Sequence, residues 1–148
     1  MIDIIENKIS VDELYKELHD ILCGGIVIFE GRIRKYSHRK EVIKITYECY
    51  YPMAIKIMNE IKAKAFKNWG INHIIAVHRI GTIPLGEIAV WIGIASVHRK
   101  EAFEACQFMI DEIKSKVPLW KHETYQDGSS NWVACQQATS HAQVVSGK

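Results

Sequence analysis

Apolar residues recur along this chain with two different periods, which predict helices and strands in turn. A helix is predicted within the segment "SVDELYKELHDIL", because Ser10 and Glu13 match a capping box at its start. Four apolar residues then share one helical face: Val11, Leu14, Leu18 and Ile21. The glycines Gly24 and Gly25 end this helix, and the segment "IVIFEGRIR" predicts a strand.

The middle of the chain continues with the same alternation. The segment "VIKITYECY" alternates at period two and is predicted to pair back on the preceding strand as a hairpin. Pro52 marks the first turn of a long helix that ends at Gly70. Two apolar strands, "HIIAVHRI" and "EIAVWIGIAS", follow and are joined by the turn "GTIPLG". A second long helix spans Arg99–Lys116, and two short strands follow it, around Trp120 and in "NWVAC".

The order of these elements predicts the fold class. Over residues 42–125 the chain runs strand, helix, strand, strand, helix, strand, which is the split β-α-β pattern of ferredoxin-like α+β domains. The N-terminal helix and the β-hairpin are additions to this core. We expect a single domain over residues 1–135 and a mobile C-terminal tail over residues 136–148, where the side chains are small and polar.

Composition narrows the classes of protein to consider. The net charge of +2 gives no general electrostatic reason to expect binding to nucleic acid or to an anionic membrane. No apolar run approaches the roughly 20 residues of a membrane span, and the start "MIDIIENK" is too acidic for a signal peptide. The four cysteines form no CxxC pair, so we expect reduced thiols and a cytoplasmic location.

The second long helix carries two basic residues with more than one interpretation. Its buried stripe is predicted to consist of Phe103, Cys106, Ile110, Ile113 and Val117. A turn of 100° per residue then places Arg99 in the middle of the stripe, where a guanidinium is costly unless it is paired or binds an anion. The free N–H groups at the helix start favour an anion, but a capping arginine paired with a carboxylate is an equally good account. Lys114 lies at the edge of the stripe, where a lysine that extends its stem over the core toward water is the alternative.

Other charged residues pair up along the predicted strands. Lys121 and Glu123 are two positions apart and share one face, which fits either a site or a surface salt bridge. Arg32 and Arg34 also share one strand face, as they would in a solvated hairpin tip. If the fold gathers the basic residues, they would bind a phosphorylated ligand, and a lysine among them would have a lowered pKa that suits a base or nucleophile. This group consists of Arg32, Arg34, His98, Arg99, Lys114 and Lys121, with Glu123 as its one acid.

Several common catalytic patterns are missing from the sequence. The seven histidines form neither an HExxH motif nor a Cys/His ligand spacing, so we expect no metal. The chain has no phosphate-binding GxxxxGK[ST] loop and no serine or cysteine nucleophile motif. It also lacks the aromatic run on a central strand that RNA-binding ferredoxin-like domains carry. We expect no cofactor.

Several segments, taken in order, resemble the large, catalytic subunit of molybdopterin synthase. They span about residues 24–132: "GGIVIFEGRIR", "YECYYPMA", "HRIGTIPLGEIAVWIGIASVHRKEAFEACQFMIDEIK" and "PLWKHE" with a later tryptophan. The resemblance implies an α/β hammerhead fold and a sulfurtransferase that converts cyclic pyranopterin monophosphate to molybdopterin by installing a dithiolene. The sulfur would come from the C-terminal Gly-Gly thiocarboxylate of a ubiquitin-like small subunit. The large subunit would form a homodimer with one small subunit at each end, which makes a heterotetramer.

The resemblance also implies which residues form the site. His98 and Arg99 would be the phosphate-binding pair, and Lys114 matches the family's catalytic lysine. We assign Lys114 as the acid/base or transient acyl acceptor and Lys121 as the group that stabilises developing negative charge. The full set of implied substrate contacts is Arg32, Ile33, Arg34, His98, Arg99, Lys114, Lys121, His122 and Glu123.

The positions of Arg99 and Lys114 on one helix constrain this hypothesis. They are fifteen positions apart, about 22 Å along a straight helix, so one small ligand can scarcely touch both within one chain. We therefore expect each active site to take Arg99 from one protomer and Lys114 from the other. The residues alone leave two other functions open. One is a non-enzymatic module that binds an anion or a small partner, and the other is RNA binding, against which the charge balance argues.

Overall fold

The computed structural model describes residues 1–135 and has a mixed α/β fold. In this part of the chain the helices are α1 (Val11–Lys16), α2 (Tyr51–Asn68) and α3 (Arg99–Lys116). The strands are β1 (Ile2–Ile5), β2 (Gly25–Arg32), β3 (Tyr36–Ser37), β4 (Lys40–Cys49), β5 (Ile71–Arg79), β6 (Gly81–Pro84), β7 (Ile88–Ser96), β8 (Leu119–Tyr125) and β9 (Ser130–Ala134). Among residues 1–135, no helix is both long and apolar enough to cross a membrane.

The first sheet holds four strands in the order β1-β5-β7-β2. β7 pairs antiparallel with both β5 and β2, while β1 pairs parallel with β5. Every residue of β7 after Ile88 is buried, because α2 and α3 cover one face of the sheet and the segment around α1 covers the other. A nearly continuous apolar strand is typical of burial on both faces. β2 forms one edge of this sheet.

α2 and α3 lie side by side on one face of the first sheet. α2 packs on β1 and β5, whereas α3 packs on β7 and β2. The two helices meet through Trp69, whose ring centroid lies 5.1 Å from that of Phe108 and whose indole N–H donates to Glu104 at 2.9 Å. Pro52 lies in the first turn of α2, as predicted, because no helical partner is needed for an N–H there. α3 is therefore the helix next to the β2 edge.

The second sheet runs in the order β3-β4-β8-β9, and β6 also pairs with β4. All of these pairings are antiparallel. Val42, Ile45 and Tyr47 of β4 are buried in the same core as residues of α2 and α3. The chain passes between the two sheets directly from β2 to β3, from β5 to β6 and from β6 to β7, and through α2 and α3.

The expected ferredoxin-like core is present as two separate halves. β5 and β7 pair in the first sheet, and β4 and β8 pair in the second. The four strands do not form one sheet, because β5 and β2 occupy both edges of β7 and leave no edge for β4. The prediction of a single ferredoxin-like sheet is therefore wrong, although the order of the predicted helices and strands is correct.

Local structure differs from the prediction at three further places. The segment "VIKITYECY" forms a hairpin only with the two-residue strand β3, because β2 is paired with β7. The predicted turn "GTIPLG" contains the strand β6, which pairs with β4. The first helix ends at Lys16, so Ile21 is fully exposed beyond it, and the side chain of Ser10 makes no capping hydrogen bond. The predicted tail, residues 136–148, lies outside the described residues.

Candidate active site

Lys114 lies in the last turn of α3, close to β8. The Lys114 side chain is exposed, although the protein packed around it withdraws it partly from water. Burial lowers the pKa of Lys114, the nearby Cys135 thiol opposes this shift, and the positive charges of Lys121 and Arg34 lower the pKa further. The neighbouring cations were predicted from the sequence, but the larger contribution of burial was not.

Lys121 and Glu123 lie on the same face of β8, as their spacing predicts. The Lys121 ammonium nitrogen is 3.6 Å from a carboxylate oxygen of Glu123. The Glu123 side chain is fully buried, and within residues 1–135 neither of its oxygens accepts a hydrogen bond. A buried carboxylate without such bonds is costly, so the alternative of a surface salt bridge does not apply. Unsatisfied buried groups of this kind are typical of functional sites.

His78 on β5 belongs to the same region, although it was not predicted as a site residue. Burial lowers the pKa of His78 to about 4, the hydrogen bond to Arg79 opposes this shift, and the charge of Lys114 adds to it. The ring is therefore neutral near pH 7. Its Nδ1 lies 2.8 Å from the carbonyl oxygen of Arg79, which can only accept, so Nδ1 carries the proton and Nε2 is an acceptor. The ring of Tyr47 on β4 stands edge-on to His78, with centroids 5.0 Å apart.

Cys135 and Tyr47 add a thiol and a phenol to the region. Burial raises the pKa of the Cys135 thiol, while the charges of Lys114 and Lys121 lower it. Burial also raises the pKa of Tyr47, with smaller contributions from Cys135 and Glu123. Of these groups, Lys114 is the one whose pKa moves toward neutrality. Among residues 1–135 no three His, Cys, Asp or Glu side chains are grouped as a metal site would require.

The three residues predicted from the segment "GRIR" have different surroundings. Arg34 is exposed and lies close enough to Lys114 to lower its pKa. Ile33 is 3% exposed and belongs to the core. Arg32 donates to a carbonyl of the turn between β6 and β7 at 2.7 Å and pairs with Glu30 at 2.8 Å. The prediction that Arg32 and Arg34 share a strand face is wrong, because β2 ends at Arg32.

His122 lies apart from the two charged residues that flank it on β8. Strand alternation places it on the opposite face from Lys121 and Glu123. Its ring packs against that of Trp132 on β9, with centroids 4.7 Å apart. The predicted contact between His122 and substrate therefore does not follow from the position of Lys121.

His98 and Arg99 lie at the other end of α3. His98 is the N-cap residue, and its main-chain carbonyl accepts a hydrogen bond from the buried Ser96 hydroxyl. Arg99 is exposed, so the prediction that it lies within the buried stripe is wrong. Phe103 is exposed as well, because a different face of the helix meets the sheet. That face consists of Ala102, Ala105, Cys106, Met109, Ile110 and Ile113. An exposed guanidinium at a helix start suits an anionic ligand.

The candidate residues thus form two groups, one at each end of α3. The lysine cluster consists of Arg34, Lys114, Lys121 and Glu123, with Tyr47, His78 and Cys135 beside them. The second group is the His98–Arg99 pair. Because α3 is continuous over Arg99–Lys116, the two groups lie about 22 Å apart within one chain.

Comparison with known proteins identifies the family. The sequence pattern of the family described as MoaE protein matches residues 4–116. The chain belongs to the MoaE family. A MoaE relative from Nostoc sp., named molybdopterin synthase catalytic subunit, is 37% identical over 134 residues, which cover 88% of this chain and 81% of the relative.

Two solved structures share the fold. The crystal structure of molybdopterin synthase from Staphylococcus aureus has a TM-score of 0.83 and 32% identity, over 88% of this chain and 95% of that one. A chain from a complex of subunits 1 and 2 of molybdopterin-converting factor from Helicobacter pylori has a TM-score of 0.72 at 20% identity, over 90% of this chain and 88% of that one. The second likeness concerns the fold alone.

Membership of the MoaE family confirms the resemblance found in the sequence. The matched segment of residues 4–116 contains both the His98–Arg99 pair and Lys114. Lys121 and Glu123 lie beyond that segment, so their place in the lysine cluster rests on the 3.6 Å ion pair and on the effect of Lys121 on the pKa of Lys114.

Proposed function

We propose that this MoaE protein is the catalytic subunit of a molybdopterin synthase and transfers sulfur to cyclic pyranopterin monophosphate. The observation that carries the proposal is the lysine cluster, which holds an amine of lowered pKa beside two other cations. The name shared by the relatives supports the overall reaction, and the cluster supports where its chemistry takes place. A non-enzymatic binding module is not favoured by the family.

Lys114 acts as the acid/base or as a transient acyl acceptor in this proposal. A base or an acyl acceptor must start as the neutral amine, and burial beside Lys121 and Arg34 increases the neutral fraction at a given pH. The sulfur donor ends in a thiocarboxylate anion, which the same cations attract. Once the thiocarboxylate sulfur is bonded to the substrate as a thioester, attack on the thioester carbon breaks its C–S bond and leaves the sulfur on the substrate. Negative charge develops on the acyl oxygen during this attack, and Lys121 stabilises that charge. Glu123 holds Lys121 in position through their ion pair.

His98 and Arg99 bind the phosphate of the substrate. The exposed guanidinium and the free N–H groups at the start of α3 point to this role. Because the pair is about 22 Å from Lys114 in the same chain, each site takes its His98–Arg99 pair from the second protomer of a homodimer. Arg34 is positioned to contact substrate at the lysine cluster, while the contacts of Arg32, Ile33 and His122 stay predictions.

The sulfur donor in this proposal is a ubiquitin-like small subunit with a C-terminal Gly-Gly thiocarboxylate. One small subunit docks at each end of the homodimer, which gives a heterotetramer. The Helicobacter pylori complex supports the pairing, because it joins two subunits of molybdopterin-converting factor and one of them has this fold. The α/β hammerhead arrangement, the single domain of residues 1–135 and the cytoplasmic location are further parts of the proposal.

The direct test measures molybdopterin formed from cyclic pyranopterin monophosphate and thiocarboxylated small subunit. Lys114→Ala is expected to lower turnover at least about 100-fold, the usual contribution of an acid or base. Lys116→Ala is the matched control, because Lys116 is in the same turn but pairs with Glu112 at 2.8 Å. Equal turnover in wild type and both variants would refute the role of Lys114. A wild-type protein that binds the small subunit but forms no molybdopterin would refute the proposal that the protein is an enzyme.

A further inference from the structure

Basic residues are concentrated in one short segment of the chain. Residues 32–44 hold six of the 19 Lys and Arg residues and one acidic residue, Glu41. Outside this segment 13 Lys and Arg residues stand against 16 Asp and Glu residues, so the rest of the chain is acidic. The net charge of +2 is therefore the balance between a basic region at β3 and β4 and an acidic remainder. The six basic residues are Arg32, Arg34, Lys35, Arg39, Lys40 and Lys44.

The turn between β3 and β4 has an unusual sequence for its backbone conformation. Ser37 and Lys40 are strand partners, so the hairpin loop consists of two residues, His38 and Arg39. Both have a positive φ, 51° and 63°, which is the combination found in a type I′ turn. Within residues 1–135 no other residue except glycine has a positive φ. Asn and Gly are preferred in such a turn, so His38 and Arg39 stand here against the preference of the backbone.

Contacts to the turn between β8 and β9 hold the hairpin in place. The Lys40 ammonium donates to the Ser129 hydroxyl at 3.0 Å and lies 3.5 Å from a carboxylate oxygen of Asp127. The main-chain N–H of Gln126 donates to the carbonyl oxygen of Glu41 at 2.7 Å. The hairpin is therefore fixed to the second sheet, and its tip is presented to solvent from a supported position.

Two exposed side chains at the tip suit contact with another protein. The Lys35 ammonium lies 3.6 Å from a carboxylate oxygen of Glu41, but no carboxylate within residues 1–135 pairs with the exposed Arg39. Tyr36 is 59% exposed, and the Lys35 ammonium lies 5.5 Å from the centre of its ring. Tyr and Arg are enriched in protein interfaces and often supply much of the binding energy there. The tip therefore fits a protein partner with an acidic surface.

The hairpin and the lysine cluster lie along the same strand. β4 begins at Lys40 and passes Ile45, whose strand partner on β8 is Glu123. Arg39 is six residues before Ile45, a distance of about 20 Å along an extended strand. A protein tail of six extended residues also spans about 20 Å. A partner whose tail ends in the lysine cluster can therefore rest its folded body against the hairpin.

We infer that the hairpin tip, formed by Tyr36, His38 and Arg39, is an electrostatic docking arm for an acidic surface on the body of the sulfur-donating small subunit. Arg39 attracts the partner during its approach and Tyr36 packs against it, while the C-terminal tail of the partner enters the lysine cluster. The identity of the partner rests on the proposed function. A nucleic acid is disfavoured, because the acidic remainder of the chain would repel a long polyanion.

Association rates with the purified small subunit test the docking arm. The subunit is used with an ordinary C-terminal carboxylate, so that binding is measured without sulfur transfer. At low ionic strength Arg39→Asp is expected to lower the association rate constant about 10-fold with little change in dissociation, because Asp reverses the charge and tolerates a positive φ. In 1 M salt, where the Debye length is about 3 Å, the variant and wild type are expected to agree within about 2-fold. Arg39→Lys keeps the charge and is expected to associate as fast as wild type.

Lys56→Glu is the matched control for the change in net charge. Lys56 is an exposed cation on α2, which begins beyond the opposite end of β4. Reversal of its charge is expected to leave the association rate constant within about 2-fold of wild type, because the charge lies far from the hairpin tip. Equal rates for wild type and Arg39→Asp at low ionic strength would overturn the inference, and so would equal losses in Arg39→Asp and Lys56→Glu.

A double variant separates docking from folding. His38→Asn combined with Arg39→Gly gives the turn its preferred residues and removes the charge. It is expected to raise Tm by about 2 °C or more and to lower the association rate constant about 3-fold at low ionic strength. A loss of binding in a more stable protein does not come from a damaged fold. A variant that is more stable and associates as fast as wild type would show that His38 and Arg39 do not serve docking.

Failure of this inference and failure of the proposed function give different results. Docking that depends on salt and on Arg39, in a wild-type protein that forms no molybdopterin, would support the docking arm and refute only the proposed function. Molybdopterin formation together with an association rate that Arg39→Asp leaves unchanged would overturn the docking arm alone. Wild type that binds single-stranded RNA through Arg39 and does not bind the small subunit would overturn the choice of a protein partner.

Discussion

The two ends of α3 carry their charged residues in contrasting surroundings. Arg99 at the start is exposed, next to the free N–H groups of the helix. Lys114 at the end is also exposed, but partial burial and the neighbouring cations lower its pKa. Phosphate binding needs a permanent positive charge, and an arginine that is exposed to solvent stays protonated. Transfer of a proton or an acyl group needs an amine that loses its proton, and only the second setting provides one.

The strongest test of this contrast asks whether turnover requires a neutral Lys114 amine or only a positive charge at this position. Lys114→Arg keeps the charge, but a guanidinium stays protonated. We expect turnover to fall at least about 100-fold, as for removal of an acid or base, while affinity for the small subunit changes little. Turnover and calorimetric binding measure the two effects. A Lys114→Arg variant that keeps most of its turnover would show that the lowered pKa is not used.

The buried His78 beside the lysine cluster is expected to make the free energy of unfolding depend on pH. The pKa of His78 is about 4 in the folded protein and about 6.5 when unfolded, so the unfolded chain binds more protons in this window. The stability associated with a neutral His78 is therefore complete above about pH 6.5 and is lost as the pH falls toward about 4. The pKa difference corresponds to roughly 3 kcal/mol at most.

Urea unfolding between pH 4 and 7 measures this dependence. His78→Asn keeps a donor for the Arg79 carbonyl but does not titrate, so its stability is expected to fall less steeply with acid. His122→Asn is the control, because His122 is only half-buried against Trp132. A His78→Asn protein with the wild-type slope would show that another group titrates.

The exposed end of α3 predicts a smaller effect that lies mainly in binding. Arg99→Ala is expected to raise the KM for cyclic pyranopterin monophosphate roughly 10- to 100-fold, as for loss of a charged hydrogen bond, with a smaller change in kcat. Steady-state kinetics separate the two parameters. A large loss of kcat at unchanged KM would place Arg99 in the chemical step and remove the contrast between the two ends.

Arg34 predicts the smallest effect, a shift of the pH profile. Its charge lowers the pKa of Lys114, so Arg34→Gln is expected to move the rise of turnover with pH to higher pH. Lys35→Gln is the control, because Lys35 pairs with Glu41 at 3.6 Å instead. If Arg34→Gln lowers turnover equally at every pH, Arg34 acts by contact with substrate rather than through Lys114.

The sequence located most helices and strands but not all of their pairings. α2, α3, β5 and β7 are long and strongly periodic, so their type is legible from one chain. Alternation does not say which strand is the neighbour, and the paired residues of β2 and β7 are 56 to 71 positions apart. β1 was not predicted, because it has only four residues and is held in the sheet by its parallel pairing with β5.

The sequence predicted which charged residues form the site, but it did not predict how deeply their side chains are buried. The spacing of Lys121 and Glu123 gave their common face, but only packing leaves Glu123 fully buried. His78 had one signal, a lone histidine within an apolar strand, which by itself is more typical of a core residue. Arg99 was misplaced because Phe103 looked like a core residue, whereas the small Ala102 and Ala105 face the sheet.

The central claim is that each active site combines Arg99 of one protomer with Lys114 of the other. The most direct measurement mixes Arg99→Ala protein with inactive Lys114→Ala protein at a substrate concentration well below the raised KM of Arg99→Ala, where that variant turns over little. Molybdopterin formation is followed after subunit exchange, which mass spectrometry of the mixed dimers verifies. Each mixed dimer would contain one intact site, so activity is expected to recover to about one quarter of wild type in an equal mixture. Mixed dimers that stay inactive would contradict a site shared between two chains.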